Sequence, residues 1–148
     1  MTGAERVVDL NVDWTPDVGA PAPMLWQNEQ RAVLIFEKAR SETRVLVEFG
    51  GCLITQFGYP NDEALAEHPL YRLGLRQYRV FEVIDSSWLD RLNAQNRIAF
   101  PSGNLGLLRH FVITLHDSTF ECLAKTIEAK DADGPAAALL EPYLQEER

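Results

Sequence analysis

The chain has 148 residues, with 22 acidic against 14 basic side chains, a formal net charge of −8 and 46% hydrophobic residues. A chain of this length folds as one domain that buries about 70% of the surface its unfolded form exposes, so it needs neither metal nor disulfide to fold. The acidic balance argues against nucleic acid and anionic membrane, which are held by clustered Lys and Arg, and turns attention to a protein partner or a small molecule.

The opening stretch "MTGAERVVDLNVDWTP" has no apolar core of signal-peptide length. The longest uninterrupted aliphatic-aromatic run, "AVLIF" at 32–36, is far below the ~20 residues of a membrane span. The expectation is a soluble, cytoplasmic protein, and no motif signals a cofactor. Cys52 and Cys122, distant in sequence, read as reduced, buried thiols.

Residues 1–30 read as an extended lead-in, because "TPDVGAPAPMLWQNEQ" is proline-rich and lacks periodicity. From 31 onward strand patterns begin. Runs at 31–38, 43–49 and 52–57 predict a three-strand meander, with a four-residue loop over 39–42 and a two-residue turn at Gly50-Gly51. That pairing sets Leu34 opposite Val47 and Val47 opposite Ile54. It gathers Ala32, Leu34, Phe36, Val45, Val47, Phe49, Cys52 and Ile54 on one wholly apolar face. The opposite face mixes Val33, Ile35, Leu46 and Leu53 with Glu37, Arg44 and Glu48. Asn61 then predicts an N-cap for one or two helical turns through Ala66, ended by Pro69. Residues 77–84 read as a further strand.

A phrase of the form Asp-Ser-(Ser or Thr)-aromatic follows a strand-forming run twice, in "VIDSSWLDRL" (83–92) and "TLHDSTFECL" (114–123). In the first copy Trp88, Leu89 and Leu92 fall at helical spacing after a Ser86 or Ser87 cap, which predicts a helix over 86–96. The second copy admits a helix start, with Ser118 and Glu121 as a capping box, or a hairpin turning at Asp117-Ser118. The face test favours the hairpin. One side reads Phe111, Ile113, Leu115, Phe120, Cys122, Ala124, and the other His110, Val112, Thr114, His116, Thr119, Glu121, Leu123, Lys125. The "GPAAALLEPYLQEER" tail reads as a helix interrupted by Pro142.

The hairpin's polar side is the densest group of reactive side chains. His116 with Glu121 and Asp117 is the candidate catalytic set, a histidine oriented by a carboxylate for general acid–base work. Thr114, expected to face Glu121, joins His110 and His68 as candidate ligand-binding residues. No metal site is expected, because His110 and His116 on one strand lie ~20 Å apart. "FPSGNLG" at 100–106 lacks phosphate-loop spacing and reads as a plain loop.

The segments "HPLYRLGL", "VFEVIDSSWLDRLNAQN" and "LRHFVITLHDSTFECLA", within residues 68–124, resemble a group of small bacterial proteins sharing an H-D-S-T-F-E phrase. The resemblance implies relatives and brings no activity, cofactor or catalytic residue with it. The expected fold is α+β: a single domain with a mainly antiparallel sheet of about six strands and two or three helices packed on one face. The expected function is a binding or protein-interaction module with an acidic surface. The alternative is a small enzyme or small-molecule binder working from His116 and Glu121. A homodimer is allowed by open sheet edges.

Overall fold

The predicted hairpin between the first two long apolar runs forms in the expected register in the computed structural model, which describes residues 3–19 and 22–145. Strand β3 (Arg31–Glu37) pairs antiparallel with β4 (Arg44–Gly50), setting Phe36 against Val45 and Leu34 against Val47. The remaining strands are β1 (Arg6–Asp9), β2 (Met24–Gln27), β5 (Ile54–Gly58), β6 (Val80–Ile84), β7 (Arg109–Thr114), β8 (Thr119–Ala124) and β9 (Thr126–Ala132). Helices α1 (Ser87–Ala99) and α2 (Ala136–Gln145) complete the regular elements.

The strands form two antiparallel sheets rather than one. A five-stranded sheet has the order β1-β6-β7-β8-β5 and a four-stranded sheet the order β2-β3-β4-β9. The fold is α+β as expected, with nine strands among the described residues instead of about six. The apolar faces of the two sheets meet. Leu34, Val45, Val47 and Phe49 from one pack on Phe111, Ile113, Phe120 and Cys122 from the other. Phe49 lies between Phe111 and Phe120, with ring centroids 5.9 and 5.1 Å away. Such aromatic pairs contribute about 0.5–1.5 kcal/mol beyond the area they bury.

Because each sheet covers the other, the helices go elsewhere, and the expectation of helices on the apolar face is corrected. Helix α2 covers the outer face of the four-stranded sheet, where Leu140 packs on Val33, Ile35 and Leu46. Helix α1 starts at its expected cap, Ser86 Oγ accepting from the Leu89 N–H at 3.2 Å, yet none of its residues is buried. The outer face of the five-stranded sheet is covered by the 65–75 segment, with Leu65, Leu70 and Leu75 on Phe81, Val83 and Val112. Just ahead of that segment Asn61 Oδ1 accepts from the Ala64 N–H, and a 3₁₀ turn at Leu65–Glu67 takes the place of the helical turns expected through Ala66, with a second 3₁₀ turn at Tyr71–Leu73.

The meander stops at β4. Strand β5 pairs with β8 in the other sheet, and β4 takes β9 as its second neighbour. Val47 is fully buried as expected, whereas Ile54 is only partly covered. Gly50 and Gly51 therefore form a corner rather than a two-residue hairpin turn. Gly50 pairs with Thr126 and Ile54 with Leu123, so three residues (51–53) span the same gap as two (124–125). One extra residue in one strand is a bulge, the device by which strands pass from one sheet to the next. Gly51 carries the required positive φ of 59°, and a Cβ there would lie 2.8 Å from the Lys125 side chain. Cys52, at the corner, and Cys122 are both free and buried. The neighbouring Cys122 thiol holds Cys52 below the usual thiol value, while burial, with Cys52 beside it, pushes Cys122 up.

The residues read as an extended lead-in supply an edge strand to each sheet, β1 beside β6 and β2 beside β3. The hairpin β7–β8 forms, and its apolar side is the one expected. Its loop is longer: Leu115 N–H donates to Ser118 O, and Thr114 stands opposite Thr119. The two-residue turns that suit a hairpin need positive φ at least at their first central residue, and Asp117 does not adopt it. The pairing is thereby displaced by two residues. Every side chain keeps its face, but Glu121 stands opposite Val112 instead of Thr114.

Candidate functional site

The displaced register decides which histidine meets which carboxylate. Glu121 on β8 lies diagonally across from His110 on β7, and the two join through His110 Nε2 and Glu121 Oε1 at 2.8 Å. His68, held between the two 3₁₀ turns, reaches the other carboxylate oxygen, Oε2, also at 2.8 Å. All three are shielded, with side-chain exposures of 2% for His110, 9% for His68 and 11% for Glu121.

The outer ring nitrogens are occupied as well. The Leu70 N–H donates to His68 Nδ1 at 3.0 Å. That fixes the tautomer: the ring's proton is on Nε2 and is donated to Glu121. His110 Nδ1 lies 2.7 Å from Ser86 Oγ, the cap of α1. With His110 donating from Nε2, its Nδ1 accepts the Ser86 hydroxyl proton, and Ser86 Oγ in turn accepts from Leu89 N–H. Burial alone would raise the Glu121 carboxyl. The hydrogen bonds from His110 and His68 outweigh it and hold the group at about 2.

This network forms the floor of a cavity of about 260 Å³ walled by Trp88, Leu70, Pro69, Gln56, Ser87 and Arg91. A second cavity of about 200 Å³ shares Gln56, His68, Pro69 and Glu121 with it and extends toward Tyr59. Trp88 meets the His110 ring edge-on at 5.1 Å. Glu5 closes one rim by accepting from both the N–H and the hydroxyl of Ser87.

His116 belongs to a different assembly. It lies beyond the end of β7, with a side chain 42% exposed, and its Nδ1 is 3.0 Å from Asp62 Oδ2. The same oxygen accepts the Tyr78 hydroxyl. Tyr78 has a positive φ of 56°, a strained backbone conformation for an aromatic residue. Burial, reinforced by the Asp62 charge, pushes its phenol up to about 12, and the Tyr78 hydrogen bond and His116 together keep Asp62 below the usual carboxylate range. With Nδ1–H donated to Asp62, the lone pair of His116 is on Nε2. The closest partner of Nε2 is the exposed Asp117, at 3.8 Å.

The structure thus keeps His116 apart from Glu121, to which the sequence joined it, and brings His68 and His110 to Glu121 instead. Thr114 is 1% exposed and opens into neither cavity. Its hydroxyl donates to Arg76 O and accepts from Arg79 N–H, fixing the turn before β6. Asp117 stands on the surface beside His116. Sequence reasoning missed Asp62, Tyr78, Ser86 and Trp88 as members of these assemblies. Only the spacing of Ser86 before a helix carried a signal, and it indicated a cap rather than a histidine partner. Among the described residues no group of three or more His, Cys, Asp and Glu is placed to hold a metal ion, and no helix is long and apolar enough to cross a membrane. No protein-family model, curated protein or solved structure matches the chain.

Proposed function

We propose that the chain is a binding protein whose small-molecule ligand occupies the cleft above Glu121. One observation carries this reading: a rigid, buried and fully hydrogen-bonded floor lies at the base of a concave site. Both oxygens of Glu121 and all four ring nitrogens of His68 and His110 already have partners. Such a floor has no proton to give or take without breaking an internal bond, so it supports recognition better than acid–base turnover. The walls offer an indole face at Trp88, apolar surface at Leu70 and Pro69, and polar groups at Gln56 and Arg91. Arg91 is exposed and has no ion pair among the described residues, which suits a compact ligand with an apolar body and an acceptor group.

Amide-resolved NMR with a library of small carboxylates, amines and neutral amides tests this. Carboxylates should shift Gln56, Ser87, Trp88 and Arg91 together, and Arg91→Ala should abolish the shifts without changing the melting temperature. Shifts confined to other surfaces, or none at all, would sink the reading.

A second reading is favoured by the solvent-facing Nε2 of His116. With Asp62 holding Nδ1, this ring has the arrangement of a general base, and a partly exposed group is one a substrate can reach. It retains the alternative expected from sequence, with Asp62 in the place given to Glu121. Histidine-selective acylation by diethyl pyrocarbonate separates the two. A His116 that reacts faster than free imidazole, and loses that advantage in Asp62→Asn, supports the catalytic reading; ordinary reactivity removes it.

A further inference from the structure

The segment that follows β1 does more than lead to β2. Leu10 N–H donates to Val80 O at the start of β6. Further on, Ala39 N–H donates to Thr15 O, Asp17 N–H donates to Glu37 O, and Pro16 is bridged to Lys38. Residues 10–17 therefore form a strap that ties the five-stranded sheet to the four-stranded sheet across one end of the sandwich. Between the strap, the β3–β4 loop and the turn before β6 lies a cavity of about 550 Å³. Small-molecule sites commonly enclose roughly 300–1,000 Å³. The cavity shares no residue with the cleft above Glu121, and it meets the His116 assembly at Tyr78.

The charges on its walls are sorted by segment. The strap contributes Asp13 and Asp17, the β3–β4 loop contributes Arg40, and the turn before β6 contributes Arg79. No ion pair joins the two signs. Arg79 pairs with Asp9, which does not line the cavity, over 3.4 Å and with its side chain 52% exposed. Asp17 Oδ1 accepts from the adjacent Val18 N–H. Neither Asp13 nor Arg40 has a hydrogen bond or ion pair among the described residues. A single exposed charge without a partner is ordinary on a protein surface. Opposite charges that reach one concavity from separate walls without meeting are different, because they leave a gap that a molecule carrying both charges spans.

The backbone points the same way. Arg40 and Tyr78 have positive φ of 57° and 56°, two of the four non-glycine residues with that conformation among the described residues. A third, Asn11, directly precedes the cavity residue Val12. Strain of this kind persists where the surroundings enforce it, and it gathers at ligand sites.

We infer that this cavity binds a small zwitterion with an apolar side chain, either a free α-amino acid or a dipeptide. Its ammonium group sits with Asp13 and Asp17, its carboxylate with Arg40 and Arg79, and its side chain on Val12, Pro16 and Ala39. A ligand of one charge sign uses only half of this recognition. The inference is independent of the ligand cleft and stands or falls separately from it.

Calorimetric titration and amide-resolved NMR with the apolar L-amino acids and leucyl-leucine provide the test. A member of that set should bind and shift the amides of Asp13, Thr15, Arg40 and Arg79 together. N-acetylation of the same ligand, which removes its positive charge, and amidation of its carboxyl group should each weaken binding about tenfold or more. Arg40→Gln and Asp13→Asn should have the same effect at an unchanged melting temperature, since both side chains are exposed. The two ligand modifications need no variant, so the test stands even where a substitution disturbs folding. An acetylated or amidated ligand that binds as tightly as its parent overturns the proposal, because the site then reads one charge alone. No shift at these residues from any member of the set overturns it as well. Shifts confined to Gln56, Ser87, Trp88 and Arg91 would place the amino acid in the Glu121 cleft, sinking this inference while supporting the earlier one.

Discussion

Two histidine–carboxylate assemblies sit at opposite ends of the same hairpin. At one end His110 and His68 close on Glu121 beneath the surface, and at the other His116 leans on Asp62 at the edge of solvent. The residue types are alike, but the unoccupied atoms differ. The buried assembly leaves no ring nitrogen free, and the exposed one leaves Nε2 of His116. Proximity of histidine to carboxylate therefore does not by itself indicate chemistry. The count of occupied nitrogens separates a structural network from a reactive one.

Removing the buried carboxylate should have the largest effect. Glu121→Ala deprives two buried imidazoles of their acceptor at once and should cost about 3–5 kcal/mol, read from urea unfolding midpoints. A loss below about 1 kcal/mol would mean that the histidines find other partners and the network is not closed.

The second expectation concerns pH. The Glu121 carboxyl is held at about 2 in the folded chain against an ordinary 4.5, so the unfolded chain takes up its proton first as the pH falls. The associated stability is complete above pH 4.5 and is lost as the pH drops from there toward 2. It amounts to about 3 kcal/mol. In Glu121→Gln this part of the pH dependence should vanish, and a persisting acid-limb slope of the same size would assign it to other carboxylates.

The exposed assembly should respond least. Asp62→Asn should change stability by less than about 1 kcal/mol, since the pair it breaks is partly solvated. Its effect is spectroscopic. Tyr78, which ionises near 12, should titrate at lower pH once the Asp62 charge is gone, as seen by ultraviolet difference absorbance against Tyr78→Phe. If Tyr78 keeps its value in Asp62→Asn, burial alone sets it and the two groups are uncoupled.

The comparison also shows what the sequence made legible. Face alternation in "RHFVITLH" and "TFECLAK" identified the side of β7–β8 that meets the other sheet, because a register displaced by two preserves parity, but the polar side, expected to be uncovered, is buried as well. Parity could not report the length of the loop, and the loop length gave Glu121 its partner. The β3–β4 pairing was legible for the same reason, since a slip of one would have turned Leu34 and Val47 away from the other sheet. The passage from β4 into the other sheet was hidden. A glycine pair serves a tight turn and a bulged corner equally well, and only β8–β9, some seventy residues further on, decides between them. His68 was named as a candidate, but its partner was beyond reach of local pattern because a covering segment of 3₁₀ turns brings it to the sheet, and Asp62, ahead of those turns, is tied to the β7–β8 loop by its N–H donating to the His116 carbonyl.

The bulged corner has a consequence for how the chain reaches this state. It binds β4 and β5 along their whole length to β8 and β9, segments distant in sequence, while β1 must wait for β6. Three of the seven pairings among the described residues, β1–β6, β4–β9 and β5–β8, join strands far apart in the chain, so long loops must close before those contacts give any return. Folding is then slow for a domain of this size, on the order of milliseconds to seconds. Until β8 arrives the uncharged β5 segment has no partner on either side, and during that interval the growing molecule is most open to joining another unfinished copy.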